Sequence, residues 1–275
     1  MSTIVVNRSS KESGLSRPVI KKIVDYVCKQ ENRPISGKLS IAFVSRDEIR
    51  ALKKEFLHQD VDTDVLSFFY GTEEPDQIWG EIIICPEKAR EHAYNYGTKF
   101  EDEQKLLLIH GLLHLLDYDD TDSEKKHLME TRQNQILKQL LIAEKRDQLV
   151  ASAQKIRLYA YAPYSLFPVG AALETGDGKV VQGVNIENAS LGLSVCAERV
   201  ALFKAVSLGY TDFTRLAVVS SQNQYCLPCG ACRQVLYEFA PHLEILAARS
   251  EGDYQIYSLD QLFPHPFQFN SEKEG

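Results

Sequence analysis

The chain has 275 residues, of which 44% are hydrophobic and 25% charged, and its net charge is −7. This composition excludes wholesale disorder, and the length predicts about two globular domains. Neither half carries the basic excess that is typical of nucleic-acid binders. The first residues turn polar too soon for a signal peptide and no long apolar run follows, so we expect a cytoplasmic protein.

Helices and short apolar strands alternate in the first half. Ser45 and Glu48 have the spacing of a capping box that starts a helix ending near Phe56, and Thr121 and Glu124 repeat that spacing farther on. Pro86 suits the first turn of a further helix. Apolar periodicity completes the assignment, with helices at 17–30, 86–96 and 102–116 and strands at 39–45, 64–70 and 81–85.

The second half repeats the alternation of strands and packed helices. Neither Gly nor Pro occurs between Gly111 and Pro163, so the junction near 144–150 is expected to be helical. The pattern predicts a mixed α+β and α/β protein of two layered domains, 1–144 and 145–275. The predicted elements are helices at 147–160, 196–208 and 229–239 and strands at 168–175, 179–186, 215–220 and 243–249.

The cysteines cluster in the second half. Cys229 and Cys232 form a C-x-x-C pair after Pro228, where the first turn of a helix lets two thiolates face one ion. Cys196 opens another helix. Three thiolates leave the fourth tetrahedral position for water, which is typical of catalytic rather than structural zinc. Cys226 is a possible fourth ligand, although its position before the turn favours a role in the loop.

Glu198 lies two residues after Cys196, beside the metal but not needed as a ligand. A carboxylate there can take a proton from water and deliver it to a ring nitrogen and then to leaving ammonia. Three thiolates outweigh the charge of Zn²⁺, and the positive ends of two helices and the Arg199 guanidinium can offset the excess. The alternative is a structural zinc module or a set of buried thiols.

This constellation resembles the zinc deaminase signature. The segments YAPYSLFPVGAAL, NIENASLGLSVCAERVALFKA, PCGACRQVLYEF and LFPHPF resemble the small homotetrameric cytidine deaminases over 148–267. The resemblance implies a three-layer domain with a mixed sheet, one Zn²⁺ per site, a tetramer, and hydrolysis of cytidine or deoxycytidine to uridine or deoxyuridine. Nucleic-acid editing is the weaker alternative.

The same resemblance implies the substrate contacts. Asn185 and Glu187 would hydrogen-bond the ribose hydroxyls, and Phe167 would pack against the nucleoside. Ala197 would help to hold the base edge and Gln234 would support the site, while Phe267 would reach a neighbouring subunit's site. The alternatives are core packing for the two phenylalanines and turn chemistry for Asn185 and Glu187.

Two histidines mark the first half. His110 and His114 lie at i and i+4 on one helical face, a spacing that can bring two imidazoles to one metal. Asp120 can supply a third ligand where the helix ends, or it can cap the next helix. His127 is a second candidate for the third ligand, and His58 is expected in an exposed loop. Without a metal, the pair would be two partly buried core histidines.

The segments TDVLSF, GEIIICPEKAREHA and HGLLHLLDYDD resemble the YbeY-type endoribonucleases of rRNA maturation over about 1–140. That resemblance implies a metal-dependent cleavage of single-stranded RNA at a three-histidine site, with rRNA or a small-subunit precursor as partner. Three positions depart from the family: Asp120 replaces the third histidine, Asp117 a glycine and Leu57 an arginine. The carboxylate favours harder metals, and the lost arginine removes a phosphate contact.

The sequence therefore predicts a cytoplasmic bifunctional enzyme. A metal-dependent endoribonuclease domain, holding zinc or another divalent metal, would precede a zinc-dependent cytidine deaminase domain. The competing hypothesis keeps the deaminase and makes the first half a non-catalytic ribosome-assembly module. No membrane partner is expected.

Overall fold

The computed structural model describes residues 3–10, 12, 14–33, 38–71 and 79–269. The chain divides into two compact units, Met1–Leu141 and Ile142–Gly275. Within the described ranges, none of the helices combines the length and the apolar character that a bilayer span requires.

In the part of the first unit that the structure describes, there are four strands and four helices, and a fifth helix begins there. The strands are β1 (Thr3–Arg8), β2 (Lys38–Phe43), β3 (Val65–Gly71) and β4 (Trp79–Ile84). The helices are α1 (Arg17–Gln30), α2 (Arg46–Leu57), α3 (Pro86–Tyr96), α4 (Phe100–Leu115) and α5 (Ser123–Ile156).

The four strands form one sheet in the order β1-β2-β4-β3, in which β3 alone runs antiparallel to its neighbour. Successive side chains of a strand point to opposite faces of the sheet, so alternate residues of the central strands pack into two different apolar layers. Ile82 and Ile84 join the large cluster formed with α1 and α4, whereas Ile83 joins a smaller cluster with Ile49 of α2. The sheet is thus covered by helices on both faces.

Local signals for helix starts were mostly confirmed in this unit. The Ser45 side chain accepts the amide of Glu48, whose carboxylate returns to the Ser45 amide, as the capping-box spacing predicts. The same prediction for Thr121 is wrong, because the Thr121 hydroxyl donates to Asp119 instead. The first turn of α5 is capped by Asp122, which accepts two amide hydrogens as a stronger, charged acceptor. Strand β1 was not predicted.

The second unit carries the end of α5 and a second set of strands and helices. Helix α5 passes through the junction without a break, so the expected helical connection is confirmed, and one turn of 3-10 helix follows at Arg157–Tyr159. The remaining elements are β5 (Val169–Thr175), β6 (Val180–Val184), α6 (Ala197–Ser207), β7 (Phe213–Ser220), α7 (Gly230–Tyr237), β8 (Glu244–Ser250), β9 (Asp253–Ser258) and α8 (Leu259–Leu262).

Five strands form a mixed sheet in the order β6-β5-β7-β8-β9, and only β7 and β8 are parallel. Ala201 and Leu202 of α6 pack with Leu173 on one face of this sheet. Val150 and Ala153 of α5 pack on the other face. The predicted three-layer arrangement is therefore confirmed, with β9 and α8 as additions that the sequence pattern did not show.

Gly183 on β6 lets the start of α6 lie directly on the sheet. A Cβ at this position would stand 2.4 Å from both the Ala197 carbonyl oxygen and the Ala201 amide nitrogen. Both atoms belong to the backbone of the first turns of α6 and cannot rotate away. This close approach sets where the residues at the start of α6 lie.

Candidate active sites

Three cysteine sulfurs of the second unit come together at the ends of two helices. Cys196 Sγ lies 3.8 Å from Cys229 Sγ, which lies 3.5 Å from Cys232 Sγ. Tetrahedral zinc with Zn–S bonds of about 2.3 Å would separate its sulfurs by about 3.8 Å. The three sulfurs therefore already fit a zinc ion, and Cys226 is not part of the group.

Both helix starts direct their positive ends at these thiols. Cys196 is the N-cap of α6, and Cys229 is the N-cap of α7 with Cys232 in its first turn. Hydrogen bonds from Cys232, Arg199 and Cys229 lower the pKa of Cys196, against the effect of burial. The Arg199 guanidinium also donates to the Ser194 carbonyl. The surroundings thus favour a thiolate at Cys196, the form that binds metal, whereas the hydrogen bond to Cys196 and burial raise the pKa of Cys232.

Glu198 is the carboxyl group that lies beside this cluster. Its side chain is buried, at 4% exposure, in the first turn of α6 and within hydrogen-bonding reach of the Cys232 thiol. Burial raises the pKa of Glu198 to about 7. A carboxyl group with such a pKa can both accept and release a proton near neutral pH.

A short bridge brings Asn185 and Glu187 beside this cluster. Ile186 pairs with Val195, the residue before Cys196, through two backbone hydrogen bonds of 3.0 Å. The side-chain amide of Asn185 donates to the Phe167 backbone carbonyl and accepts from the Val169 backbone amide. Its carbonyl oxygen and amino group each keep one free hydrogen-bonding position.

Glu187 is held more firmly by a loop. Its carboxylate accepts from the backbone amides of Tyr164 and Ser165, at 2.9 and 3.1 Å, and from the Ser165 hydroxyl. These bonds lower the pKa of Glu187, so the side chain is an acceptor only. Turn chemistry therefore occupies much of the hydrogen-bonding capacity of both residues that the resemblance assigns to ribose.

The remaining predicted contacts fall into two environments. Ala197 is fully buried, and Phe167 packs against the apolar cluster under α6. The Phe267 side chain is 71% exposed, while its backbone amide and carbonyl both pair with the Gln234 side chain at 2.9 Å. Gln234 thus anchors the segment that presents Phe267 to solvent.

In the first unit, His110, His114 and Asp120 offer ligand atoms that all lie within 4.8 Å of one another. The two Nε2 atoms are 3.0 Å apart, and Asp120 Oδ2 lies 3.9 Å from His114 Nε2. Two imidazole nitrogens on one tetrahedral zinc would be about 3.3 Å apart. The donor set therefore fits a divalent metal.

The outer hydrogen bonds show which nitrogens are free for metal. His114 Nδ1 lies 3.1 Å from the Tyr118 carbonyl, which can only accept, so Nδ1 carries the proton. His110 Nδ1 contacts Gln133 Oε1 at 2.8 Å in the same way. Burial and the neighbouring His110 lower the pKa of His114, which keeps its ring neutral. Two Nε2 lone pairs consequently face each other across a space that suits a cation.

The alternatives for the third ligand separate clearly. Asp122, not Asp120, caps α5, so Asp120 is free to face the histidines. His127 lies exposed on α5 outside the metal-ligand group, and His58 is an exposed residue at the end of α2.

A cavity of about 600 Å³ adjoins the histidine cluster. Carboxylates dominate its charged lining, with Asp64, Glu103, Asp120 and Glu130 against the single lysine Lys126. Leu57, which replaces the family arginine, is not among the lining residues and lies half exposed at the end of α2. Among the described lining residues, Lys126 thus faces a surplus of carboxylates.

The sequence did not identify two groups that orient the histidines. Gln133 lies on α5 and the Tyr118 carbonyl lies in the turn after α4, and neither follows a spacing that marks a ligand. Asp117 adopts a left-handed backbone with φ +70°, which explains why glycine is usual at this position in the family it resembles.

Comparison with known proteins divides the chain in the same way. Residues 5–141 match the family model "Endoribonuclease YbeY", and residues 143–247 match "Cytidine and deoxycytidylate deaminase zinc-binding region". A cytidine deaminase of Halalkalibacterium halodurans is 47% identical over 123 residues, which are 44% of this chain and 93% of that protein. A solved cytidine deaminase from Burkholderia pseudomallei is 49% identical over 44% of this chain and 97% of its own, with a TM-score of 0.42.

The first half has relatives of the other type. An endoribonuclease YbeY of Staphylococcus saprophyticus is 39% identical over 125 residues, which are 43% of this chain and 82% of that protein. Both families are families of enzymes. The chain therefore belongs to both, with an endoribonuclease YbeY domain followed by a cytidine deaminase domain.

Proposed function

We propose that the second unit hydrolyses cytidine or deoxycytidine to uridine or deoxyuridine and ammonia, with zinc on Cys196, Cys229 and Cys232. The observation that carries this proposal is a buried carboxyl group, Glu198, beside three sulfurs at zinc spacing. Zinc held by these three cysteines would supply a Lewis acid that activates the attacking water.

Glu198 moves the protons of this reaction. Its carboxylate takes one from the water whose oxygen bonds to C4 of the base, and gives it to the ring nitrogen N3. It then passes the second proton to the amino group, which leaves C4 as ammonia. Arg199 lies 3.8 Å from the Cys196 sulfur and offsets the surplus negative charge of three thiolates.

The nucleoside contacts follow from the family resemblance and the loop geometry. Asn185 and Glu187 bind the ribose hydroxyls with the hydrogen-bonding positions that the loop leaves free, which favours free nucleosides over a base within a strand. Phe167 packs against the nucleoside, and Ala197 lies at the base edge. Gln234 supports the segment that carries Phe267.

We further infer a homotetramer through the second unit. Large apolar side chains are exposed around this site, including Phe267 at 71% and Leu166 at 78%. Such residues are typical of an interface between subunits, and Phe267 would then reach the site of a neighbouring copy. Because three ligands are thiolates, the protein needs a reducing compartment, in agreement with the expected cytoplasm.

For the first unit we propose metal-dependent cleavage of single-stranded RNA in rRNA maturation. The supporting observation is the pair of imidazoles whose Nδ1 atoms contact oxygen acceptors and whose Nε2 atoms face each other beside Asp120. A divalent ion there, zinc or a harder metal, supplies a Lewis acid next to the cavity. His110, His114 and Asp120 hold the ion, and Gln133 fixes the ring of His110.

Metal content per chain, measured on protein purified without added metal, tests both halves together. About two ions per chain are expected, one at each cluster. One zinc that disappears in the Cys229→Ser variant would contradict the metal site of the first unit. Conversion of cytidine to uridine by the full chain distinguishes the deaminase from a structural zinc module.

RNA cleavage separates the nuclease from the binding module. Wild-type protein is expected to cut single-stranded RNA, and His114→Ala to lose that activity while its cytidine deamination continues. RNA binding without cleavage by the metal-loaded wild type would favour the ribosome-assembly module instead.

A further inference from the structure

The turn that follows α4 is held from outside by residues at the end of α1. Glu31, the C-cap of α1, accepts from the Tyr118 hydroxyl at 2.8 Å through one carboxylate oxygen. Its other oxygen accepts from Arg132 Nε at 2.7 Å. The Glu31 side chain is 10% exposed and that of Arg132 is 23% exposed, so this carboxylate is well shielded from water.

The same turn carries two groups of the histidine cluster. The Tyr118 carbonyl accepts the Nδ1 proton of His114, and Asp120 follows two residues later. Arg33, just beyond α1, binds the turn as well, through the Leu116 carbonyl at 2.8 Å. Backbone hydrogen bonds also close this turn, from the Asp117 amide to the His114 carbonyl at 3.2 Å and from the Tyr118 amide to the Leu113 carbonyl at 3.1 Å. The contacts from the end of α1 add side-chain support on its outer side.

We propose that Glu31 and Arg132 are positioning residues for the metal site of the first unit, acting through Tyr118 on His114 and Asp120. This inference rests on the proposed metal site. The Tyr118 hydroxyl fixes the ring of Tyr118, and the ring fixes the backbone carbonyl that selects the His114 tautomer with a free Nε2. Groups that orient a ligand histidine in this way change metal affinity without touching the ion.

Arg132 completes the arrangement from α5. Its guanidinium donates to Glu31, to the Gln30 carbonyl at 3.1 Å and to Gln135 at 2.8 Å. It therefore joins the end of α1 to the helix that begins after Asp120. Loss of the Tyr118 hydroxyl would leave this link intact and remove only the side-chain contact that holds the turn. The variant Tyr118→Phe therefore separates positioning of the turn from folding of the unit.

Cobalt titration of the full chain tests the proposal. The cysteine site is first filled with stoichiometric zinc, and the ligand-field bands of Co²⁺ then report the histidine site without sulfur charge-transfer absorption. We expect Tyr118→Phe and Glu31→Ala each to weaken Co²⁺ binding about tenfold. Glu31→Gln, which keeps an acceptor for the phenol, should recover most of the affinity.

Tyr94→Phe is the matched control, because it removes the hydroxyl of a tyrosine that is 89% exposed on α3. It should bind Co²⁺ like the wild type. The double variant Tyr118→Phe/Glu31→Ala should bind no more weakly than Glu31→Ala alone, since Glu31→Ala already removes the hydrogen bond that Tyr118→Phe removes. Saturating metal should restore RNA cleavage in Tyr118→Phe.

The outcomes are distinct. Wild-type affinity in both Tyr118→Phe and Glu31→Ala would overturn the positioning role and leave the metal site standing. A wild-type chain that binds no Co²⁺ beyond the cysteine site would refute the metal site and, with it, this role. Weaker Co²⁺ binding in Tyr118→Phe and Glu31→Ala, with an equal loss of Co²⁺ affinity in Tyr94→Phe, would show general destabilisation. That result would also overturn the proposal.

Discussion

The two metal-ligand clusters lie at opposite ends of their helices. Cys196 and Cys229 cap the N-termini of α6 and α7, where the helix dipole stabilises negative charge. His110 and His114 lie in the last turns of α4, where the dipole favours a cation near neutral ligands. Each ligand chemistry thus occurs at the helix end that suits its charge.

This difference also separates the two proposed reactions. Zn²⁺ with three thiolates would carry a net negative charge, which suits a neutral nucleobase better than a phosphodiester. A divalent ion with two imidazoles and Asp120 would keep a net positive charge, which would attract the anionic backbone of RNA. In the functions proposed above, the ligand set thus matches the charge of each substrate.

The largest expected effect comes from removing a thiolate. Cys229→Ser should abolish cytidine deamination and remove one zinc per chain, while the histidine site keeps its ion and RNA cleavage continues. Elemental analysis measures the zinc content, and the deamination and RNA-cleavage assays measure the two activities. Cys226→Ser is the matched control, since Cys226 lies outside the cluster. Zinc loss in that control as well would make Cys226 a ligand and break the comparison.

Glu198→Gln should lower deaminase turnover by about 10²–10⁴-fold because the amide cannot transfer protons. The zinc content should stay unchanged, since Glu198 is not one of the three ligands. Uridine formation and zinc analysis on the same sample test both statements. Near-normal turnover would refute the proton-transfer role.

Changes at Asp120 sharpen the comparison by altering the ligand set. Asp120→Ala should weaken metal binding at the histidine site at least about tenfold, because only two ligands remain. Asp120→His should shift preference from Mn²⁺ towards Zn²⁺. Asp122→Asn removes a neighbouring charge while keeping an N-cap acceptor, and it should bind metal like the wild type. Equal affinities in all four proteins would mean that Asp120 is no ligand.

The smallest effects concern glycines that let helices approach the sheets. Gly183→Ala should lower the free energy of unfolding by about 1–3 kcal/mol, because its Cβ meets the backbone of α6. Gly111→Ala should lower the free energy of unfolding by less, since its Cβ meets a side-chain methyl of Ile82 at 2.6 Å rather than backbone, and alanine favours a helix. The urea concentration at the midpoint of unfolding measures both losses of stability, and the activity of the affected unit is measured afterwards. Gly192→Ala, with open space around it, is the control, and a cost equal to that of Gly183→Ala would contradict the account.

Much of the fold was predictable where the signal is local. The capping box of Ser45 and Glu48 and the proline start of α3 lie at the predicted positions because each depends on a few consecutive residues. The capping box predicted at Thr121 does not form because the Thr121 hydroxyl donates to the neighbouring carboxylate of Asp119. Strand β1 was not predicted because its apolar run is only three residues long, Ile4, Val5 and Val6.

The candidate sites divide in the same way. The C-x-x-C pair and the i, i+4 histidines indicate metal from spacing alone, since one helical turn brings such side chains together. The contact between Gln133 and His110 crosses from α5 to α4 and follows no local pattern. The bonds that tie Glu187 to its loop were weighed only as an alternative, because no pattern shows which acceptors a loop will use.

The sequence by itself determined the two families, the ligand types and the helices that carry them, because these depend on residue chemistry and short spacing. Only the tertiary structure decided that Asp122 rather than Thr121 caps α5 and that Asp120 faces the histidines. It also decided that Glu31 reaches Tyr118, a contact across 87 residues. Such contacts are set by how helices pack on a sheet, which is a property of the whole unit and not of any one segment.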